Sequence, residues 1–344
     1  MKTFYRCATT FAMLAALGGT SLAQTTELTV IGYGGSFHEG WVKAVIEPFE
    51  EANPDIKINV VTASTAQAAS MMRAQKDNVQ VDVFMMDEQG AAQTAAEGLY
   101  EPLTMEGVPN LVKLYPMFRV NGEPYARFMY TAQVLVYNTN DVTTTPTSWS
   151  ELWSEAYRGR VAIADITTTP GIYLLMQLMD MAGSVEKPDV DGGFAMMERI
   201  KPNIITFWGQ MAQLEQLLLQ GEVSISTYPS NRAQSTVDTG APVKWVIPQE
   251  GGYLNASTIG IAKGTTKLEA AQKYIDFVLS AEAQAANAEY SYLNPVNSEV
   301  QLAPEVAAKL PVDALDRLKT PDWTYTLSNL PAWTDRWNRE ITSN

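Results

Sequence analysis

The sequence has very little cysteine and histidine. Its one cysteine, Cys7, lies in an N-terminal segment that we expect to be removed, so the mature chain would carry no thiol. This excludes disulfide bonds, thiolate catalysis and cysteine-ligated metal sites. Because His38 is the sole histidine, a histidine-based zinc site and a Ser-His-Asp triad both lack enough members. We therefore expect no metal and no other cofactor, and we interpret His38 as a surface residue of a helix.

The chain is also poor in positive charge and in long hydrophobic runs. It has 24 basic and 38 acidic residues, and loss of the N-terminal segment, which contains Lys2 and Arg6, makes the net charge −16. A surface this acidic repels nucleic acid and anionic membranes. After the N-terminal segment, no apolar run approaches the roughly twenty residues that span a bilayer. We therefore expect no nucleic-acid partner and no membrane insertion.

The first 23 residues contain the features of an export signal. Lys2 and Arg6 precede an apolar run that is too short to cross a bilayer, and small residues at Ser21 and Ala23 suit a signal peptidase. We interpret residues 1–23 as a cleaved signal peptide and predict a periplasmic protein. The 344-residue chain is long enough for two domains with real hydrophobic cores.

Residues 27–60 predict a β-loop-α-β unit. Residues 28–31 are apolar and β-branched, as in a buried strand, and they run into a glycine-rich loop at residues 32–36. Apolar residues spaced by three and four follow Ser36, which predicts a helix capped by Ser36. Residues 56–60 alternate as a second strand. The pattern favours a parallel sheet with a ligand site at the loop, although a plain tight turn is the alternative.

The later sequence repeats this design. A third strand, residues 79–86, runs into Asp87 and Glu88, which either pair with a ligand cation or cap the next helix. A strand at residues 160–164 runs into a polar loop in which Thr169 is the predicted helix cap. Aromatic residues fall at or near predicted strand ends, as expected for the walls of a binding cleft. These residues are Tyr33, Phe37, Tyr130, Tyr173, Trp208, Tyr228 and Tyr253.

The carboxylates give no comparable signal for catalysis. They are plentiful but scattered, and no spacing singles out an acid–base pair or a nucleophile with its base. Binding needs only aromatic walls and a few fixed polar groups. We therefore predict that the protein is not an enzyme. A secreted hydrolase is the alternative from another class.

The order of these pieces resembles the extracellular solute-binding proteins of ABC importers, in particular the spermidine/putrescine-binding group. The resemblance extends over almost the whole mature chain. It is carried by the YGGSF loop (residues 33–37), PTSWSELW (146–153), YRGRVAI (157–163), GEV (221–223), IPQEG (247–251), KLEAA (267–271) and YIDF (274–277).

The resemblance implies an α/β fold of the two-lobed, type II periplasmic-binding-protein kind. Each lobe is expected to be a mixed sheet flanked by helices, with the ligand in the cleft between the lobes. We expect residues 24–138 plus 254–299 to form lobe I, and residues 139–253 plus 300–344 to form lobe II. The family further implies hinge closure and a membrane permease as partner. We expect a monomer.

The expected ligand-binding residues lie in the loops at the cleft and on the strands that border it. They are Tyr33, Gly34, Gly35, Ser36, Phe37, Asp87, Glu88, Tyr130, Thr168, Thr169, Gly171, Tyr173, Trp208, Tyr228, Arg232, Tyr253 and Asn255.

The sequence departs from the polyamine binders of this group, which place carboxylates on ammonium groups. Asn255 stands where the group has Asp, and residues 167–171 lack its acidic residues. Arg232 stands where the group usually has a small residue, unless it pairs on the surface with Asp238 or Glu222. We therefore predict a small solute with a carboxylate or other oxyanion, such as an amino-acid-like compound. A polyamine or other organic cation is the alternative.

Overall fold

The computed structural model describes residues 25–343 except Gly35, Asn121 and Glu123, and it leaves the Ser36 side chain undescribed. The predicted signal peptide, residues 1–23, therefore lies outside the described residues. In the described part of the chain, no helix combines the length and the hydrophobicity that crossing a membrane requires.

Twelve strands and twelve α-helices make up the described regular structure, together with short 3-10 and π segments. The strands are β1 (Thr26–Gly32), β2 (Ile56–Thr62), β3 (Val83–Asp87), β4 (Tyr100–Glu101), β5 (Ala126–Asn138), β6 (Val161–Ala164), β7 (Ile204–Trp208), β8 (Ile225–Pro229), β9 (Val243–Val246), β10 (Gly252–Ala262), β11 (Asn294–Pro295) and β12 (Leu318–Lys319). The helices are α1 (Ser36–Trp41), α2 (Glu47–Ala52), α3 (Thr65–Ala74), α4 (Glu88–Ala96), α5 (Thr169–Ala182), α6 (Val190–Ile200), α7 (Met211–Leu219), α8 (Ser230–Asp238), α9 (Leu268–Val278), α10 (Ala281–Ser291), α11 (Pro304–Ala307) and α12 (Trp323–Trp337).

The sheet of lobe I has the order β2-β1-β3-β10-β5. β1 pairs in parallel with both β2 and β3, whereas β10 is antiparallel to β3 and to β5. The predicted β-loop-α-β unit is therefore confirmed. Its helix begins at Ser36 and continues through a π-helical segment, Val42–Ile46, into α2.

The third strand begins at Val83 and not at residue 79 as predicted. The reason is the side chain of Gln75, whose Oε1 accepts the N–H groups of Gln80 at 3.1 Å and Val81 at 2.9 Å. These donors are thus bonded outside a strand ladder. The alternating sequence could not reveal this competing side-chain acceptor.

The sheet of lobe II has the order β5-β8-β6-β7, with β9 on β5. β6 is parallel to β7 and β8, while β5 is antiparallel to β8 and β9. Trp149, Tyr173, Trp323 and Trp337 belong to one buried cluster, so the C-terminal helix α12 packs into the same core as α5. The predicted mixed α/β fold with helices flanking the sheets is confirmed.

Two long strands pass between the lobes. β5 pairs with β10 as far as Ala132, which lies opposite Leu254, and from Gln133 onward it pairs with β8. We propose that the crossing on β5 lies at Ala132 and Gln133, earlier than the boundary predicted at residue 138. The cleft between the lobes therefore has these two strands as its floor.

Candidate functional site

The carboxyl ends of β1 and β3 place Tyr33 and Asp87 side by side in lobe I. The Tyr33 hydroxyl donates to Asp87 Oδ1 at 3.2 Å, and the Asp87 N–H donates to Thr65 Oγ1 at 3.1 Å. Burial raises the pKa of Asp87, while hydrogen bonds from Thr65 and Tyr33 oppose the rise. Asp87 has no cationic partner among the described residues. It is therefore a carboxylate available to an incoming positive charge.

The loop after β1 leads into a row of aromatic rings. Tyr33 meets Phe37 edge to face at 5.3 Å between centroids, and Phe37 stacks on Trp41 at 5.4 Å. Gly34 is exposed, whereas Gly35 lies outside the described residues, as does the side chain of Ser36. The predicted cap at Ser36 thus lies outside the described residues too. The rings of Tyr33 and Phe37 are only partly buried and supply apolar surface beside Asp87.

Glu88 forms a buried ion pair with Arg127, a residue that the sequence reasoning missed. Arg127 Nε donates to Glu88 Oε1 at 2.8 Å, Nη2 bonds to the same oxygen, and Nη1 donates to Met117 O at 2.8 Å. The side chains are 2% and 11% exposed for Glu88 and Arg127. The pair leaves Glu88 without net charge to offer a ligand. The available signal was a lone charge in the otherwise uncharged strand β5.

In lobe II the loop after β6 leads into α5, and its capping residue is Thr168. Thr168 Oγ1 accepts the Gly171 N–H at 3.3 Å, so the cap is one residue before the predicted Thr169. The shift occurs because Thr168 has extended backbone angles while Thr169 is already helical. A Cβ on Gly171 would lie 2.1 Å from Asp165 O, so close packing requires glycine there.

The start of α5 is a weaker anion site than the sequence suggested. Pro170 has no N–H, and the N–H groups of Gly171 and Ile172 both donate to Thr168. Few unpaired donors thus remain in the first turn. An oxyanion in the cleft would need another positive group.

Tyr173 brings the lobes together at the cleft floor. Its hydroxyl donates to Asn255 Oδ1 at 3.2 Å, and its ring stacks on Tyr253 at 5.8 Å. Burial raises the pKa of Tyr173 well above its usual value, and the carboxylates of Glu88 and Asp87 raise it further. Tyr173 of lobe II therefore lies within electrostatic reach of the acidic residues of lobe I.

Other predicted site residues point into packed interiors. Tyr130 is buried and stacks on Phe118 at 4.9 Å between centroids. The Tyr253 hydroxyl donates to Asp180 Oδ2 at 2.7 Å. Trp208 is also buried, meeting Tyr228 edge to face at 5.9 Å. Strand-end position alone did not distinguish these residues from those that border the cleft.

Arg232 lies in the first turn of α8, directly after β8. Its side chain is exposed and forms no ion pair with any described residue, so the surface pairs considered with Asp238 and Glu222 do not occur. Burial raises the pKa of Tyr228 to about 12, with Glu215 adding to the rise and Arg232 opposing it. Arg232 is thus a free guanidinium at the carboxyl end of a lobe II strand.

The polar groups of the site can bind charged parts of a small molecule. Lobe I supplies the Asp87 carboxylate, lobe II supplies the Arg232 guanidinium, and the crossing strands supply the Asn255 amide. Among the described residues, no cluster of three metal-binding side chains occurs. Two mixed α/β lobes joined by long strands, with charged groups on both, define a two-lobed solute-binding protein.

Residues 44–312 match the family of bacterial extracellular solute-binding proteins, and the chain belongs to that family. The predicted resemblance is thereby confirmed. A solved ABC transporter structure from Clostridium perfringens has the same fold, with a TM-score of 0.82, 25% identity, and coverage of 92% of this chain and 100% of that one. The chain is the solute-binding component of an ABC importer.

Two relatives have names that specify a ligand. A Salmonella typhimurium periplasmic protein, whose name proposes 2-aminoethylphosphonate binding, is 24% identical over 343 residues, covering 95% of this chain and 97% of the relative. The γ-aminobutyric acid-binding protein of Pseudomonas aeruginosa is 24% identical over 313 residues, covering 86% and 85%. Both match most of the two lobes.

Proposed function

We propose that this protein binds a small zwitterion that carries an ammonium group at one end and a carboxylate or phosphonate at the other. The observation that carries the proposal is the opposite charge of the two lobes, with Asp87 unpaired in lobe I and Arg232 unpaired in lobe II. The ligands named for the two relatives, 2-aminoethylphosphonate and γ-aminobutyric acid, share this chemistry. Their charges are separated by a short methylene chain.

The ammonium end would lie against Asp87. This carboxylate is held by Tyr33, and the rings of Tyr33 and Phe37 offer apolar and π surface to an organic cation. Removing the ammonium from water requires a compensating charge, which Asp87 supplies. Because Glu88 is neutralised by Arg127, lobe I offers one negative charge rather than two.

The oxyanion end would lie against Arg232. A guanidinium stays charged and can hold a carboxylate or phosphonate through two parallel hydrogen bonds. The polyamine alternative needs a second free carboxylate for its second ammonium group. The neutralised Glu88 and the neutral Asn255 weigh against it.

We further propose that residues 1–23 are removed on export and that the mature protein acts as a periplasmic monomer. It would pass its solute to the membrane permease of the importer. No conversion of the solute is expected, since the contacts proposed here hold charges and supply no nucleophile.

Closure of the lobes on γ-aminobutyric acid tests this function. Each lobe holds one end of the solute, so binding should favour a conformation in which both ends are held and should shift an open–closed equilibrium. Small-angle scattering should give a smaller radius of gyration with saturating γ-aminobutyric acid than without it. An equal concentration of uncharged glycerol should change nothing. Identical profiles for free and saturated protein would contradict hinge closure.

Affinity for γ-aminobutyric acid should fall as the solution is acidified, because Asp87 must be ionised to hold the ammonium. Its raised pKa means that protonation begins at a higher pH than for an ordinary aspartate. The bound ammonium favours the carboxylate, so binding releases a proton in this range. Calorimetric titrations between about pH 4 and pH 8 should show the loss.

Asp87→Asn is the control for this pH dependence. The variant should bind weakly, with an affinity that varies little over the same range. Without ligand it should be at least as stable as the wild type above the raised pKa, since the folded state there disfavours the charged Asp87. An unchanged pH profile in the variant would exclude Asp87 as the titrating group.

A further inference from the structure

Asn255 is the one partly exposed residue of strand β10, all of which is described. Its neighbours Leu254 and Ala256 are fully buried. Asn255 lies opposite Thr131 of β5, on the floor where the lobes meet. Its side chain therefore leaves the packed sheet at the cleft.

The orientation of this amide is fixed by Tyr173. The Tyr173 side chain is 2% exposed, with its ring stacked on Tyr253 at 12° between planes and lying 5.9 Å from Trp323. A ring held in this way cannot move its hydroxyl far. The buried O–H needs an acceptor, and it donates to Asn255 Oδ1 at 3.2 Å.

An amide with its oxygen engaged presents its two N–H donors elsewhere. Asn255 Nδ2 donates to no described residue, and it is not among the atoms buried without a partner. The donors are therefore accessible from the cleft. A carboxylate oxygen or phosphonate oxygen is the ligand group that such donors suit.

We propose that Tyr173 is a positioning residue that turns the Asn255 amide so that its N–H groups donate to an oxyanion of the bound solute. This inference rests on the proposed function. Ser257, two residues further along β10, lies opposite Asp87. Two residues of strand span about 7 Å, which suits a solute whose ammonium and oxyanion are separated by a few methylene groups.

A double-mutant cycle with Tyr173→Phe and Asn255→Ala tests the inference. Tyr173→Phe keeps the stacked ring and removes only the hydroxyl, so the amide is free to turn. We expect each single variant to weaken γ-aminobutyric acid binding by about 5- to 10-fold in calorimetric titrations, the usual effect of one hydrogen bond. The double variant should bind no worse than Asn255→Ala alone, because Tyr173 acts through that amide.

Tyr253→Phe is the matched control. Its ring stacks on Tyr173, but its hydroxyl donates to Asp180 and not to Asn255. It should leave binding within about twofold of the wild type. A structural role for Tyr173 would reduce binding of butyrate and butylamine alike, whereas a positioning role should reduce only the binding of butyrate, which carries the anion.

The outcomes separate this inference from the proposed function. Zwitterion binding with independent, multiplicative effects of the two substitutions would overturn the positioning role alone, as would an unchanged affinity in Tyr173→Phe. If the wild type binds putrescine and no zwitterion, the proposed function fails, and the assignment of Asn255 as an oxyanion donor fails with it. Zwitterion binding with coupled effects supports both.

Discussion

Glu88→Gln is expected to destabilise the protein by about 3–5 kcal/mol, because it leaves the Arg127 guanidinium buried without its counter-charge. The two side chains are 2% and 11% exposed, so solvent can replace little of the lost interaction. Nη1 of Arg127 would keep only its bond to the Met117 carbonyl. Chemical denaturation followed by circular dichroism measures the loss.

Glu97→Gln is the matched control for this experiment. Glu97 pairs with Arg73 through three close contacts, but the two side chains are 41% and 40% exposed. An exposed pair of this kind should contribute no more than about 1 kcal/mol. Adding Arg127→Met to Glu88→Gln should recover much of the stability, since the uncompensated charge is then gone. Equal, small losses in Glu88→Gln and Glu97→Gln would contradict the buried-pair account.

Arg232→Ala is expected to produce the largest loss of affinity for γ-aminobutyric acid. The substitution removes a charge-assisted pair with the solute carboxylate, and we expect a cost of about 2–3 kcal/mol, or roughly 30- to 150-fold. This is the lower part of the range for such pairs, because Arg232 is exposed before the lobes close. Calorimetric titration measures the change.

The unliganded stability of Arg232→Ala should equal that of the wild type, since Arg232 has no ionic partner among the described residues. Arg158→Ala is the control, because Arg158 is also an exposed arginine of the 139–253 segment but follows a 3-10 turn rather than a strand. It should leave affinity unchanged. Tight putrescine binding that survives Arg232→Ala would favour the polyamine alternative.

Local patterns predicted the β-loop-α-β unit because strand and helix periodicities are properties of neighbouring residues. The ion pair between Glu88 and Arg127 was beyond such reasoning, since its partners are 39 residues apart. Thr169 and Thr168 are equally good capping residues, and only the backbone angles distinguish them. Sequence therefore located the loops at the cleft more reliably than the exact contacts within them.

The aromatic residues show a second limit of the sequence. Tyr33 and Tyr173 reach the cleft, whereas Tyr130 and Trp208 are buried in the core. Successive strand residues alternate between two faces, so a position near a strand end does not say which face a ring occupies. β10 adds a register irregularity between Ser257 and Thr258, which no local pattern revealed.

Calorimetric titration of one protein sample with γ-aminobutyric acid, butyrate and butylamine tests the central claim most directly. The three compounds share a four-carbon chain and differ in which charged groups they carry. If Asp87 and Arg232 hold opposite ends of one solute, γ-aminobutyric acid should bind at least about 100-fold more tightly than either singly charged compound. Butylamine binding as tightly as γ-aminobutyric acid would contradict the zwitterion account.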